Sequence, residues 1–94
     1  MATVTIHFVG PLRLYVQSRS CTLDATDLQE VRESLLAAYG DVYRQSLQDR
    51  NIKSSRSLWD DCNVLLNRSN IQFIDPPTLK DGDQIYLLLQ VAGG

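Results

Sequence analysis

The sequence is poor in the residues that most protein chemistry uses. It holds one histidine, His7, and two cysteines, Cys21 and Cys62. A zinc site needs several nitrogen or sulfur ligands at close spacing, and one histidine with two distant cysteines does not provide them. There is no Cys/His or Ser/His pattern, no paired-histidine helix motif and no glycine-rich phosphate loop ending in Lys-Ser or Lys-Thr. Carboxylates are plentiful, but none sits in a recognisable catalytic motif. The sequence therefore predicts a non-enzyme, with no bound cofactor and no metal. Two cysteines so far apart do not read as a secreted disulfide scaffold, and reduced, inert thiols are expected. A charge excess is also missing. Nine basic against eleven acidic residues leave a formal charge of −2, unlike the strongly basic balance of an electrostatic nucleic-acid binder. Long apolar runs are absent too: none approaches the ~18 residues of a membrane span. Met1-Ala2-Thr3-Val4-Thr5 shows no basic region leading into an apolar block, as a signal peptide would. No nucleic-acid or membrane partner is expected, and a cytoplasmic location is.

What is present suits one small globular domain. Ninety-four residues, 44% hydrophobic and 21% charged, can bury a core without disulfides or metals. Val4, Ile6 and Phe8 alternate with Thr3, Thr5 and His7, the period of a half-buried strand, and Gly10-Pro11 ends it. His7 reads as an exposed strand residue. The next stretch supports two readings. Leu12, Leu14 and Val16 alternate as a hairpin partner would, and so do Cys21 and Leu23, so a second strand is expected within 12–24.

A helix is predicted over 27–39. Thr26 and Gln29 have the spacing of a capping box, and Asp27 and Glu30 suit the positive end of the helix dipole. Leu28, Val31, Leu35, Ala38 and Tyr39 share one face, and Gly40 stands where a left-handed terminus is expected. A second short helical piece over 41–48 would turn Val42, Tyr43 and Leu47 inward. Residues 49–62 read as a polar excursion pinned by Leu58 and Trp59. Its neighbourhood carries Arg44, Arg50, Lys53 and Arg56, either a solvated set or a docking one. Val64-Leu65-Leu66 is a short strand, Asn67-Arg68-Ser69-Asn70 a turn, and Ile71-Gln72-Phe73 a return. Asp75-Pro76-Pro77 is a loop. Lys80-Asp81-Gly82-Asp83 is a further turn before the longest strand signal, from Gln84 to Val91. One mixed sheet wrapping one helix accommodates this order, with the first and last strands side by side in its middle. Val4, Ile6, Phe8, Ile85, Leu87 and Leu89 would then face Leu28, Val31 and Leu35.

Leu79-Lys80-Asp81-Gly82-Asp83-Gln84-Ile85, then a strand, then Val91-Ala92-Gly93-Gly94, closely resembles the ubiquitin-like sulfur carriers of the MoaD/ThiS family. That family holds the small subunit of molybdopterin synthase and the thiamin and cysteine-synthesis sulfur carriers. Asn63 to Ile71 resembles the family's strand-turn-strand, with Arg68 where glycine is common. Leu89 and Gln90 replace a proline or alanine often seen before the terminal motif. The resemblance implies an α+β, β-grasp (ubiquitin-like) fold: a mixed sheet of four to five strands on one main helix. Residues 1–91 would form the domain and 92–94 a flexible Gly-Gly tail, exposed and without side chains to bury.

The resemblance further implies that the Gly94 carboxylate is adenylated by a ubiquitin-activating-type adenylyltransferase/sulfurtransferase, which uses ATP. The adenylate becomes a thiocarboxylate that donates sulfur to an accepting synthase. A carboxylate is a poor electrophile, so AMP must first make its oxygen a leaving group. Val91, Ala92 and Gly93 would thread a narrow channel, where two residues without Cβ let backbones approach closely. Attachment of Gly94 to a target lysine, as in a protein modifier, needs the same activated terminus. In the final strand, Ile85, Leu87 and Leu89 on the helix side would leave Tyr86 and Leu88 facing outward as a partner interface. The other reading has Leu58 or Trp59 folding over them.

Overall fold

The computed structural model describes residues 1–52, 57–71 and 78–89. The chain forms strand β1 (Ala2–Val9), short helix α1 (Leu12–Val16), β2 (Ser20–Ala25), long helix α2 (Leu28–Asp49), β3 (Cys62–Leu66), β4 (Ser69–Asn70) and β5 (Gln84–Leu89). The five strands make one mixed sheet in the order β2-β1-β5-β3-β4. β1 and β5 run parallel at its centre, in a register that sets Ile6 opposite Ile85 and Val9 opposite Leu88. β1–β2 and β5–β3 are antiparallel.

This is the expected mixed sheet of the β-grasp fold on one main helix. Val4, Ile6, Phe8, Ile85 and Leu87 are buried with Val31 and Leu35 of α2, while Leu28 and Leu89 pack partly buried against that core. Ala38 is exposed instead, so the apolar stripe of α2 runs through Leu35 and Tyr39 and leaves Ala38 on its flank.

Three local expectations are corrected. The capping box sits one residue later than Thr26 and Gln29. The Asp27 carboxylate accepts from the Glu30 N–H at 2.9 Å, and the Glu30 carboxylate accepts from the Thr26 N–H at 2.9 Å. A carboxylate at the N-cap serves as well as a hydroxyl and adds favourable charge. Secondly, Gly40 does not end the helix. α2 continues without a break to Asp49, because Tyr43 and Leu47 extend the buried stripe and tertiary burial outweighs the glycine's cost of about 1 kcal/mol. Thirdly, 12–16 is helix, not strand. Leu12 and Val16 are buried while Leu14 is 66% exposed, so the apolar positions that count are four apart. The second strand is the Cys21/Leu23 alternative.

The second half of α2 is a platform. The Ser46 hydroxyl donates to the Tyr15 carbonyl at 2.7 Å, and the Arg50 guanidinium lies over the Tyr15 ring at 4.8 Å, which ties α1 down. On the other flank the Tyr43 hydroxyl donates to Asp61 at 2.7 Å, and Leu58 is buried beside Leu36, Tyr43 and Leu47. The turn between β3 and β4 is only Asn67-Arg68, both at positive φ, +49° and +82°. Ser69-Asn70 already pairs with β3. Arg68 thus adopts the backbone for which glycine is common. Ile71 packs against the core; Gln72 and Phe73, and the loop Asp75-Pro76-Pro77, lie outside the described residues.

Candidate functional site

Parallel pairing of β1 and β5 sends both strands toward the same end of the sheet, where Val9 stands opposite Leu88. At that end β1 turns through Gly10, at φ +64°, into α1, and β3 begins with Cys62 opposite Leu89. β5, the last described strand, ends here at Leu89, between the β1–α1 turn and the start of β3. The reacting residue expected at Gly94, the threading residues Val91, Ala92 and Gly93, and Gln90 lie outside the described residues.

β5 itself is held at its start. Lys80-Asp81-Gly82-Asp83 closes on β1: the Gly82 N–H donates to the Thr3 carbonyl at 2.9 Å, and the Thr3 N–H donates to the Asp81 carboxylate at 2.8 Å. Gly82 has φ +87°, a value that favours glycine. Asn67 grips the same point from β3, accepting from the Gln84 N–H and donating to Asp83. The strand that carries the terminal sequence is fixed at its root by two turns.

Along β5, Ile85 and Leu87 are buried while Tyr86 and Leu88 are half-buried, so the latter pair occupies the sheet face away from α2. Two cross-strand rows make up that face. One runs His7–Tyr86–Leu65–Asn70 and the next Val9–Leu88–Asn63. Tyr86 stacks on the His7 ring with centroids 4.7 Å apart and planes inclined by 16°. His7 Nε2 also bonds the side chain of Gln84. His7 is therefore not simply an exposed strand residue: it is half-buried and props Tyr86. Val9 is 36% exposed. Val9 and Leu65 are members of the patch that the sequence reading passed over. The signal was available, since the same alternation that turns Tyr86 outward turns residues 5, 7 and 9 and the middle leucine of Val64-Leu65-Leu66 outward. Of the two residues that could cover this face, Leu58 is buried on the helix side, beside Leu36, Tyr43 and Leu47, and Trp59 packs partly buried against the core; residues 53–56 lie outside the described residues.

The thiols are poor nucleophiles. Burial, helped by the nearby Asp61 charge, pushes the Cys62 pKa up to about 12. Burial also raises that of Cys21, partly offset by a hydrogen bond with Tyr39. A thiolate is the reactive form, so neither is primed. Among the described residues no group of three or more His, Cys, Asp or Glu could hold a metal ion. Nor is any helix long and apolar enough to cross a membrane. Arg50 serves the α1 packing described above, Arg44 is exposed on α2, and Lys53 and Arg56 lie outside the described residues.

No family model matches the sequence, and comparison with curated proteins gives no significant match. Solved structures do match. The small archaeal modifier protein 1 from Methanosarcina acetivorans superposes with a TM-score of 0.71 at 27% identity, covering 100% of this chain and 98% of that one. A chain of the complex of subunits 1 and 2 of molybdopterin-converting factor from Helicobacter pylori matches with a TM-score of 0.60 at 29% identity, covering 98% and 99%. The small archaeal modifier protein 1 from Haloferax volcanii, 21% identical, shares the fold at a TM-score of 0.66, with 99% and 100% covered. The likeness read from Leu79–Ile85 and Val91–Gly94 extends over nearly the whole chain: the fold is the ubiquitin-like β-grasp, and the chain is similar to small archaeal modifier proteins and to a chain of the molybdopterin-converting factor.

Proposed function

We propose that the chain is a sulfur carrier whose Gly94 carboxylate is activated and loaded by a partner enzyme. The carboxylate oxygen attacks the α-phosphate of ATP on the partner, pyrophosphate leaves, and an acyl-adenylate forms. Sulfide attacks the acyl carbon, and AMP departs with the original oxygen; where the sulfur comes instead from a partner's persulfide, the acyl disulfide that forms is cleaved by a second thiol of the partner, which is left as a disulfide. The resulting thiocarboxylate carries sulfur to an accepting synthase. The H. pylori complex supports the synthase, because there a similar chain belongs to a two-subunit converting factor. The protein itself supplies no catalytic group; it supplies a terminus and a surface by which that terminus is presented.

One observation carries this reading. The strand leading to Ala92-Gly93-Gly94 is clamped at its root by Asn67 and Thr3 and flanked, near its end, by an outer face on which Val9, Leu65, Tyr86 and Leu88 form an apolar patch among His7, Asn63 and Asn70. An outward sheet face in a monomer is ordinarily polar. An apolar one beside a chain exit suits docking on the enzyme into which the tail is threaded. The second reading, a modifier joined through Gly94 to a target lysine, is favoured by the likeness to the M. acetivorans modifier.

Intact-protein mass spectrometry from the native host tests both. Replacement of one oxygen by sulfur on the unconjugated chain is expected; adducts with other proteins and no sulfur-loaded chain would favour the modifier instead. Adding one alanine after Gly94 should abolish loading with the fold unchanged. Loading of the extended chain at full rate without trimming would reject the mechanism.

A further inference from the structure

The exit end of the sheet carries a second surface besides the apolar face. The Gly10 turn, α1 and the segment leading into β2 enclose a shallow open basin lined by Gly10, Pro11, Arg13, Leu14, Gln17 and Arg19, with Ser18 beside them. Its position is fixed by pairing. α1 follows directly on β1, whose Val9 stands opposite Leu88, and the Arg19 carbonyl accepts from the Phe8 N–H at 2.9 Å. The basin therefore adjoins the point where the chain leaves β5.

Its charges are unpaired. Arg13 and Arg19 are both exposed. The Arg13 Nε–H makes one long bond, 3.4 Å, to the Gly10 carbonyl, and neither arginine meets a carboxylate among the described residues. The acids nearest the exit, Asp60 and Asp61, lie on its β3 side and are engaged with Ser57 and Tyr43. At the far end of the sheet acids and bases are mixed: Asp24 and Asp81 bond Thr3, Asp83 bonds Asn67 and the Lys80 N–H, and the side chains of Lys80 and Arg68 are exposed among them. A chain of net charge −2 thus presents two cations without a carboxylate partner side by side at the exit, whereas Arg44, Arg68 and Lys80 are exposed singly elsewhere. Leu14, 66% exposed, stands between them. An apolar anchor flanked by two arginines is the composition of a protein-docking site, since arginine is enriched at interfaces and lysine depleted.

We infer that this basin receives an acidic surface at the channel mouth of the adenylating partner, with Arg13 and Arg19 pairing its carboxylates and Leu14 seated among them. The inference rests on the sulfur-carrier reading and deepens it. The outer sheet face supplies apolar area, and the basin supplies the charge that orients the exit toward the channel. Complementary charge at that point raises the encounter rate and fixes the orientation, and both effects weaken with salt.

The test uses the full chain, the source organism's ubiquitin-activating-type enzyme, ATP and sulfide, with loading followed by intact mass. Arg13→Glu/Arg19→Glu is expected to raise KM by about tenfold or more at low salt, within the range of electrostatic steering, with kcat unchanged. Its KM should also vary less with salt than that of the wild type. Arg44→Glu, an equal charge change elsewhere on the surface, should leave KM unchanged. Both arginines are exposed, so melting temperatures should match the wild type; Arg13→Gln/Arg19→Gln, with a smaller rise in KM, confirms the sign without charge reversal. Equal KM values for wild type and both double variants would overturn the basin while leaving the carrier reading intact. Calorimetric titration of the unloaded chain into the enzyme separates the other case. Binding that depends on the arginines without any gain of mass would reject the sulfur step and retain the basin. Loss of affinity for a single-stranded RNA probe in the double variant, with enzyme affinity unchanged, would assign the basin to nucleic acid and overturn the inference.

Discussion

Asn67 holds the first residue of β5: its side-chain oxygen accepts from the Gln84 N–H at 2.9 Å, and its backbone N–H donates to the Gln84 carbonyl at 2.8 Å. Its amide also donates to Asp83 at 3.0 Å. Asn67→Ala removes both side-chain bonds and leaves alanine at φ +49°, where asparagine, whose polar side chain can bond the local backbone, is tolerated better. A loss of about 1–3 kcal/mol is expected by denaturant unfolding. Asn67→Gly, which keeps the backbone free but also loses the bonds, should fall between the two. Equal stability of wild type and Asn67→Ala would mean the clamp is not used.

Gly40 lies within α2, and a Cβ built there meets nothing within 4 Å. Gly40→Ala should raise stability by about 0.5–1 kcal/mol through helix propensity and a less flexible unfolded chain. Thermal melts would show it as a higher midpoint, and a lower midpoint would indicate a kink at Gly40 that the packing requires.

Leu88→Asp changes the outer face without touching the core. Binding to the adenylating enzyme or to the accepting synthase should weaken by about 1–3 kcal/mol, as for loss of an interface anchor, with the melting temperature nearly unchanged. Unchanged affinity for both partners in calorimetry would remove Leu88 from the interface. A large drop in melting temperature would place it in the core.

The Cys62 thiol couples stability to alkaline pH. Its ordinary pKa of about 9 rises in the folded protein to about 12. Below pH 9 the thiol is protonated in both states and its contribution is complete. Between 9 and 12 the unfolded chain ionises while the folded one resists, so stability declines as pH rises through that window. Burial and the Asp61 bond raise the Tyr43 pKa as well, with the same sign. Cys62→Ala should be less stable at neutral pH, because buried volume is lost. Its denaturation midpoint should fall less between pH 8 and pH 11 than that of the wild type, and an identical decline in both would assign the effect to the other groups whose pKa burial raises, Tyr43, Tyr39 and Cys21.

Most of the sheet was legible because its residues obey one simple period. Val4, Ile6 and Phe8 could only be a strand with one buried side, and the uninterrupted Ile85-Tyr86-Leu87-Leu88-Leu89 pointed to the middle of a sheet. Leu12, Leu14 and Val16 misled because three apolar residues at spacing two contain a pair at spacing four, and the choice depends on whether Leu14 finds anything to touch. Gly40 misled for a related reason: a glycine signals an end only when the stripe beyond it fails, and Tyr43 and Leu47 carry it on. The apolar patch on the outer face was half read from Tyr86 and Leu88. Val9 and Leu65 joined it only through strand register, which neighbouring strands set together. Arg13 and Arg19 are six positions apart in an unremarkable stretch, and only the Gly10 turn and the Phe8–Arg19 pairing make them neighbours of the exit.

The central pairing of β1 with β5 joins groups as far apart as His7 and Gln84, 77 residues along the chain. β1 is synthesised well before β5, and its inner edge stays unsatisfied until Gln84–Leu89 emerges. Until then Val4, Ile6 and Phe8 have no parallel neighbour, and the half-made sheet offers an open edge to other chains. A polypeptide broken off before β5 cannot close the domain and would remain a substrate for proteases. Closure therefore acts as a proofreading step: any copy stable enough to persist has been translated at least as far as Gln84–Leu89, the strand that precedes Val91-Ala92-Gly93-Gly94 in sequence.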